Sequence, residues 1–492
     1  MNKRVVCLFA LALGVSEAAG AQLISIKTVP VSQADQFAIF PSRNLGMGNV
    51  SIAVPDPLLD PFINPAKGSR LGAPYFFGSP AFYSVSSEAG GGRTLPVAAA
   101  MRSGSWFGGL ALALQQVDAS RQNIFVPVRF EGDIVLPQGS LKERSHGNQM
   151  AFAMVGKAVP EAKLSFGGSV FWAGLSAIDG VDLLYARSAG INQFGHAVDA
   201  RIGLLKEWAG DRSLEALVLF DQLRMTHDVT YLDPFWDPGT QRTLQRSRLD
   251  HYLDWTDIWG LHLEYERPLP GPGWRIGWLA TGNRMSHPKI PNYEIMSIPR
   301  DPGDSYAFNV GIGISRTRGP ATFGIDAIYE PIWSYTWADA ASPIENRLGD
   351  TIPAGGKTVE NDFRFSNALI RMGVTRELGR TAAFQLGLVV RSIHYWLEQF
   401  DNVQLSRRNQ QEQWVEWTPT WGVTLRFPEL EIRYQGNVIN GTGRPGVVPN
   451  RGGLLALDAA AATNIIVAPS GPLTLGGVTV VTHQVGLSVP IR

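Results

Sequence analysis

The residues best suited to bind something are an aromatic pair and two arginines. Phe363, Phe365, Leu369 and Arg371 share one parity, so on an extended strand they project from one face, while Arg364 and Met372 fall on the other. An apolar wall beside a cation suits an amphipathic acid, because the wall takes the chain and a guanidinium grips a carboxylate through two parallel N–H donors. Arg391 is a second arginine of this kind. These five are the candidate ligand-binding residues, and packing against neighbouring chain is an equally simple role for the two Phe.

Catalysis has no comparable footing. The chain contains no G-x-S-x-G, no H-E-x-x-H and no P-loop, and its 8 His are scattered, with no close pair at metal-ligand spacing. The expectation is therefore no enzyme, no metal and no cofactor. A hydrolase would have to join a serine to His262 or His394, and nothing in the sequence selects either. Cys7, the single cysteine, lies in the first residues, so the rest of the chain has no disulfide and no thiol nucleophile. With 43 basic and 43 acidic side chains, nucleic acid has no electrostatic attraction to the chain.

The elements that must position these residues are strands. Charged residues are 17% of the 492, below the roughly 25% of an ordinary soluble chain, while Gly numbers 53 and Trp 14. From about residue 75 the sequence alternates apolar and polar positions in short segments. Trp259, Leu261, Leu263 and Tyr265 take one face and His262, Glu264 and Glu266 the other. After an RPLPGPG turn, Trp274, Ile276 and Trp278 alternate with Arg275 and Gly277 in the same way. No apolar run reaches the ~18 residues that a membrane helix needs. Connections alternate short and long, with short turns near 103, 160, 210, 270, 318, 379 and 428, as in outer-membrane barrels with short turns on one side and long loops on the other.

A direct count of these segments gives sixteen strands in a transmembrane antiparallel β-barrel, spanning 75–492. The apolar faces meet lipid, and the opposite faces point Asp199, Arg201, Glu264, Glu266, Arg275, Asp326, Glu330, Arg371, Arg391, Arg426, Glu431 and Arg433 into the lumen. Links at 225–253, 333–358 and 398–410 are expected as long loops, with Asp228 to Trp236 and Trp333 to Trp337 bringing aromatics to the outer girdle. Gly453 to Ile466 is Ala- and Leu-rich and suits a short lid helix. The chain ends Val489-Pro490-Ile491-Arg492 rather than on an aromatic.

Residues 1–21 read as a cleaved signal peptide: Lys3 and Arg4 precede the apolar run Val5–Val15 and a small-x-small site at Ala19-Gly20-Ala21. The place is then a bacterial outer membrane, with its lipids and assembly machinery as partners and a monomer as the working form.

Between signal and barrel lies a turn-rich stretch, Arg43 to Leu71, with Gly46 and Gly48 around a Met, Asp-Pro at 56–57 and 60–61, and Asn64-Pro65-Ala66. It has no strand periodicity and must be tail or plug. Gly46-Met47-Gly48, the Asp-containing run and Asn64-Pro65-Ala66 ahead of the first strand resemble the N-terminal hatch of the FadL family of outer-membrane transporters, which includes TodX-like hydrocarbon channels and PorV-like proteins of type IX secretion. The resemblance implies a hatch over 22–74 in the lumen, with Gly46, Gly48, Asn64, Pro65 and Ala66 as hatch or gating residues. It also implies about fourteen strands, a wall opening for lateral release, and passive uptake of hydrophobic small molecules such as long-chain fatty acids. The alternative within the family is a PorV-like barrel that binds or assembles secreted cargo.

Overall fold

The computed structural model describes residues 36–37, 39–86, 90–118, 145–178, 190–287, 303–340, 342–442 and 478–491. The signal segment and Gly453 to Ile466 lie outside these residues.

Seventeen hydrogen-bonded segments form one antiparallel sheet, and they amount to sixteen strands, because Tyr75–Gly78 and Ala81–Val85 are two pieces of one strand. Both pieces pair with Gly91–Ser103 on one side and Val478–Pro490 on the other. The break falls at Ser79-Pro80, where proline has no N–H to offer the ladder. Last strand on first closes the sheet, so no edge is left to be satisfied within a bilayer. The directly counted sixteen is the observed number, and the family's usual fourteen is not.

Alternation decides which way each residue faces. Leu110, Leu112 and Leu114 point outward at 66%, 61% and 64% exposure, while Ala111 and Ala113 between them are buried. The same rule leaves Trp259 and Leu261 exposed outside and buries His262 and Glu266 inside. The outward side is thus an apolar belt for lipid, and the lumen face at these positions is polar.

At one end the connections are short, as expected. At the other, two expected loops prove to be strand. Arg212–Asp237 and Arg242–Pro268 run 26 and 27 residues as one continuous hairpin. A membrane crossing needs only ~9–11 residues, so this hairpin rises far above the bilayer. Asp228 to Trp236 are therefore strand residues. Cross-strand partners let pairing continue in water with polar side chains, as where His251 Nδ1 meets Asp228 Oδ1 at 2.6 Å. Ala382–Asp401 and Ser406–Arg426 likewise run on through most of 398–410. Trp333 to Trp337 also lie in a strand, Ala321–Asp339, with Trp333 and Tyr335 facing outward as a girdle should.

Candidate functional site

The stretch after residue 38 is folded inside the barrel at its short-turn end. It contains three short helical pieces, Leu45–Met47, Asp60–Ile63 and Pro65–Arg70. Asp56 organises the first half. One carboxylate oxygen accepts from Ser42 Oγ at 2.6 Å and from the backbone N–H groups of Arg43 and Asn44 at 2.7 and 3.2 Å. The other accepts from Leu58 and Leu59 N–H, each at 3.1 Å. Asn44 adds two bonds of 2.9 Å from its amide to the carbonyls of Val50 and Val54.

A buried segment without ladder partners must find them elsewhere, and the lumen wall provides them. Gln435, Gln385, Thr420, Ser315 and Arg201 donate in turn to the carbonyls of Ser42, Arg43, Gly46, Ala53 and Ile63, at 2.6 to 3.1 Å. Asp326 accepts from the N–H groups of Ser51 at 2.8 Å and Ile52 at 3.3 Å. Wall glycines let the backbones come this close. A Cβ on Gly373 would lie 2.1 Å from Met47 O, one on Gly387 2.2 Å from Gly48 N, and one on Gly277 2.1 Å from Ile52 O.

Each expected hatch residue has a definite seat. Gly46 lies against Gly422, and Gly48, at φ 75°, turns the chain and donates to Thr420 Oγ1 at 2.9 Å. Asn64 is fully buried; its side-chain oxygen accepts from Ala66 N–H at 3.1 Å and its amide donates to Glu215 Oε2 at 2.8 Å. Pro65 opens the helical piece that follows and, with Ala66, rests on Gly167. Lys67 then bridges plug to wall, with Nζ 2.7 Å from Glu215 Oε1 and 3.6 Å from Asp60 Oδ2. Burial alone would lower the Lys67 pKa, but the Asp60 and Glu215 carboxylates raise it above the ordinary lysine range and keep the ammonium charged.

The five ligand candidates divide into two levels of the lumen. Phe363 and Phe365, stacked with centroids 6.1 Å apart, belong to a buried apolar cluster with Ile258, Met285, Ile332, Ile393, Leu397 and Trp414. This layer lies towards the long-hairpin end. Leu369 instead packs on plug residue Ile52, together with Leu279 and Ile328. Arg371 stands across the ladder from Asp326, is 6% exposed, and its Nη1 has no hydrogen-bond partner among the described residues. Arg391, level with Leu369 on the next strand, has Nη2 3.8 Å from Glu330 Oε2.

A groove of about 750 Å³ lies elsewhere, on the outward face, where Ala153, Gly168 and Ala200 leave a hollow beside Val170, Ile202 and Trp259. Among the described residues, the two histidines considered for hydrolysis bond to other partners than serine. His262 Nδ1 is 2.5 Å from Thr281 Oγ1, and His394 Nε2 is 2.8 Å from the Gln411 amide.

In overall fold the chain is similar to solved outer-membrane barrels. A FadL homologue of Pseudomonas aeruginosa aligns over 92% of this chain and 99% of its own, at 10% identity and a TM-score of 0.46. The toluene transporter TodX of Pseudomonas putida aligns over 90% and 96%, at 10% identity and a TM-score of 0.35. CdiB of Acinetobacter baumannii aligns over 85% and 60%, at 8% identity and a TM-score of 0.40. No family model matches the chain, and no curated protein matches it in sequence.

Sequence reasoning missed much of what holds the plug. Asp56 was legible only as half of a turn-forming dipeptide, and Lys67, Glu215 and Thr420 carried no local signal. A signal for the glycine contacts did exist. Gly203, Gly277, Gly373, Gly387 and Gly422 each sit on a lumen-facing position a few residues from a short turn.

Proposed function

We infer that this protein is an outer-membrane channel for passive uptake of small hydrophobic molecules, among them amphipathic acids with a long chain. The observation that carries the reading is the vertical order of the lumen. An apolar layer at Phe363 and Phe365 stands above two arginines at the level where the plug begins with Ile52, and the plug fills the short-turn end. At about 3.3 Å per residue, Phe365 lies roughly 13 Å along its strand from Leu369, the level of Arg391. A fatty-acid chain covers that distance with its carboxylate on Arg391 or on the buried, unpartnered Nη1 of Arg371.

The plug makes a poor exit for such a molecule. It is sealed by the Lys67, Asp60 and Glu215 charges and by wall-to-backbone hydrogen bonds, which an apolar chain would have to break without replacing. Release sideways through the wall or back through the hairpin end avoids that cost. No observation among the described residues favours the cargo-binding alternative.

The test is retention and uptake of a labelled long-chain fatty acid by purified protein in liposomes. Arg371→Gln with Arg391→Gln should weaken acid binding by about tenfold or more, a loss of roughly 1.4 kcal/mol or above. Binding of an uncharged hydrocarbon of equal length should be unchanged. Equal loss of both ligands, or of neither, would sink the reading, and stable recovery of a secreted protein on the barrel would replace it with the cargo-binding role.

A further inference from the structure

The join between plug and wall brings together Glu215, which the uptake reading uses only as part of the seal, with His262 and Glu264, which it does not use. Glu215 and Glu264 are direct cross-strand partners on neighbouring strands, two carboxylates facing one another inside the lumen. Like charges so placed repel unless a cation lies between them. His262 is two residues from Glu264 on the same strand and 6% exposed, with Nε2 3.9 Å from Glu264 Oε2. One donor atom from each of Glu215, His262 and Glu264 falls within 4.8 Å of the other two.

The local cations do not balance this group. Lys67 lies between Glu215 and Asp60, while Arg70, the other plug cation near them, is held by Glu207 at 3.0 Å, Arg275 by Glu266 at 2.6 Å, and Arg201 by Asp199 at 2.6 Å. Among the described residues the ion-pair contact of Glu264 is with His262. Three carboxylates, Asp60, Glu215 and Glu264, thus surround one ammonium and one imidazole. When Thr281 Oγ1 accepts from Nδ1–H of His262, the Nε2 lone pair faces the Glu264 carboxylate. Three acceptor groups then converge, of which Glu215 takes donors from the plug side, and an acceptor on the far ring nitrogen is what orients metal-bound imidazoles.

We propose that Glu215, His262 and Glu264 bind a divalent transition-metal ion of the zinc type, which fastens the barrel wall to the plug. One imidazole nitrogen and two carboxylates are a donor set for such an ion, with bonds of about 2.0–2.2 Å. Donors on one tetrahedral ion with such bonds stand about 3.4 Å apart, so the group, now within 4.8 Å, has to draw in around it. Glu215 is already fixed from the plug side by the Asn64 amide at 2.8 Å and by Lys67. The ion would therefore tie the Asn64-Pro65-Ala66 turn to two strands at once. The competing arrangement is a proton shared between Nε2 and Glu264 with no ion.

Zinc titration of the untagged, metal-stripped full chain in detergent separates the two. One Zn²⁺ per chain at micromolar affinity is expected, weakened at least tenfold in His262→Gln and in Glu264→Gln but not in the control His196→Gln. Co²⁺ in its place should give visible d–d absorption that the two site variants lose. Each variant's wall is checked by heat-modifiable migration on a gel. If both fail to fold, anomalous diffraction at the zinc edge on the wild-type chain decides, through a peak beside Glu264 or none. Wild-type protein that takes up no zinc, or a Glu264→Gln chain that binds it as well as wild type, overturns the proposal. Neither readout involves transport, so failure here leaves the uptake reading standing and the reverse.

Discussion

Replacing Asp56 should open the plug while leaving the barrel closed. The carboxylate is 3% exposed and takes five hydrogen bonds, four of them from backbone N–H groups. Bonds to a charged acceptor contribute about 1.5–3 kcal/mol each. The five are not independent, since Asn44 N–H also reaches Ser42 Oγ at 3.0 Å, and Leu58 and Leu59 share one oxygen. Counting three as independent gives roughly 4–9 kcal/mol for Asp56→Ala, and about half that if water refills the site. Asp56→Asn keeps one acceptor oxygen and should fall between Ala and wild type. The plug has no ladder of its own, so a loss of this size is of the order of the whole stability of a small domain. The assay is limited trypsinolysis in detergent, with cleavage at Arg43, Lys67 or Arg70 reporting the plug and heat-modifiable gel migration reporting the wall. Cleavage at least tenfold faster than wild type with an intact wall is expected. An Asp56→Ala chain whose plug resists trypsin as wild type does would refute the view that this carboxylate holds the plug together.

The fit between plug and wall glycines makes a second, steric prediction. In Gly387→Val the new Cβ would meet Gly48 N at 2.2 Å and Met47 C at 2.3 Å, so a cost of at least about 1–3 kcal/mol should appear as the same trypsin sensitivity with the wall intact. Unchanged protection would mean that the plug does not lie on this wall. On the outside, Leu112→Arg should lower refolding stability in lipid by up to about 2–4 kcal/mol, read by urea titration in vesicles. The same change at lumen-facing Gln115 should cost far less of the wall's stability. Equal effects at the two positions would contradict the assigned inside and outside.

The wall was legible because a strand between lipid and a polar lumen must alternate, and alternation survives in a single sequence. Leu110, Leu112 and Leu114 against Ala111 and Ala113 state it plainly. What failed was the point at which strands stop. Beyond the membrane both faces meet water, the contrast disappears, and the 225–253 region looked like loop although its backbone is paired throughout Arg212–Asp237. The strand count shows the opposite lesson, since the residues supported sixteen and only the family likeness argued for fourteen. Within the plug, Asn64-Pro65-Ala66 was visible because its partners include its own neighbours. The bonds of Gly46 and Gly48 to Thr420, and of Asn64 to Glu215, join residues more than a hundred positions apart, and no local pattern records such a pair. Glu215, His262 and Glu264 carry no ligand spacing along the chain for the same reason, since the cluster forms across two strands.

The lumen's order also constrains how a ligand would move if uptake is the function. Moving an apolar chain from water into the Phe363 and Phe365 layer gains about 0.8 kcal/mol for each methylene buried, so entry from the hairpin end is downhill. Passage onward through the plug reverses the sign. It would separate Lys67 from Glu215, now 2.7 Å apart and both buried, and breaking a buried pair costs about 3–5 kcal/mol before any hydrogen bond from Gln385, Gln435 or Thr420 to the plug backbone is counted. The lipid outside the wall, by contrast, is as apolar as the Phe363 and Phe365 layer. On the uptake reading a hydrophobic ligand would therefore have a favourable way in and an unfavourable way straight through, and the plug would act less as a door than as the floor that turns it aside.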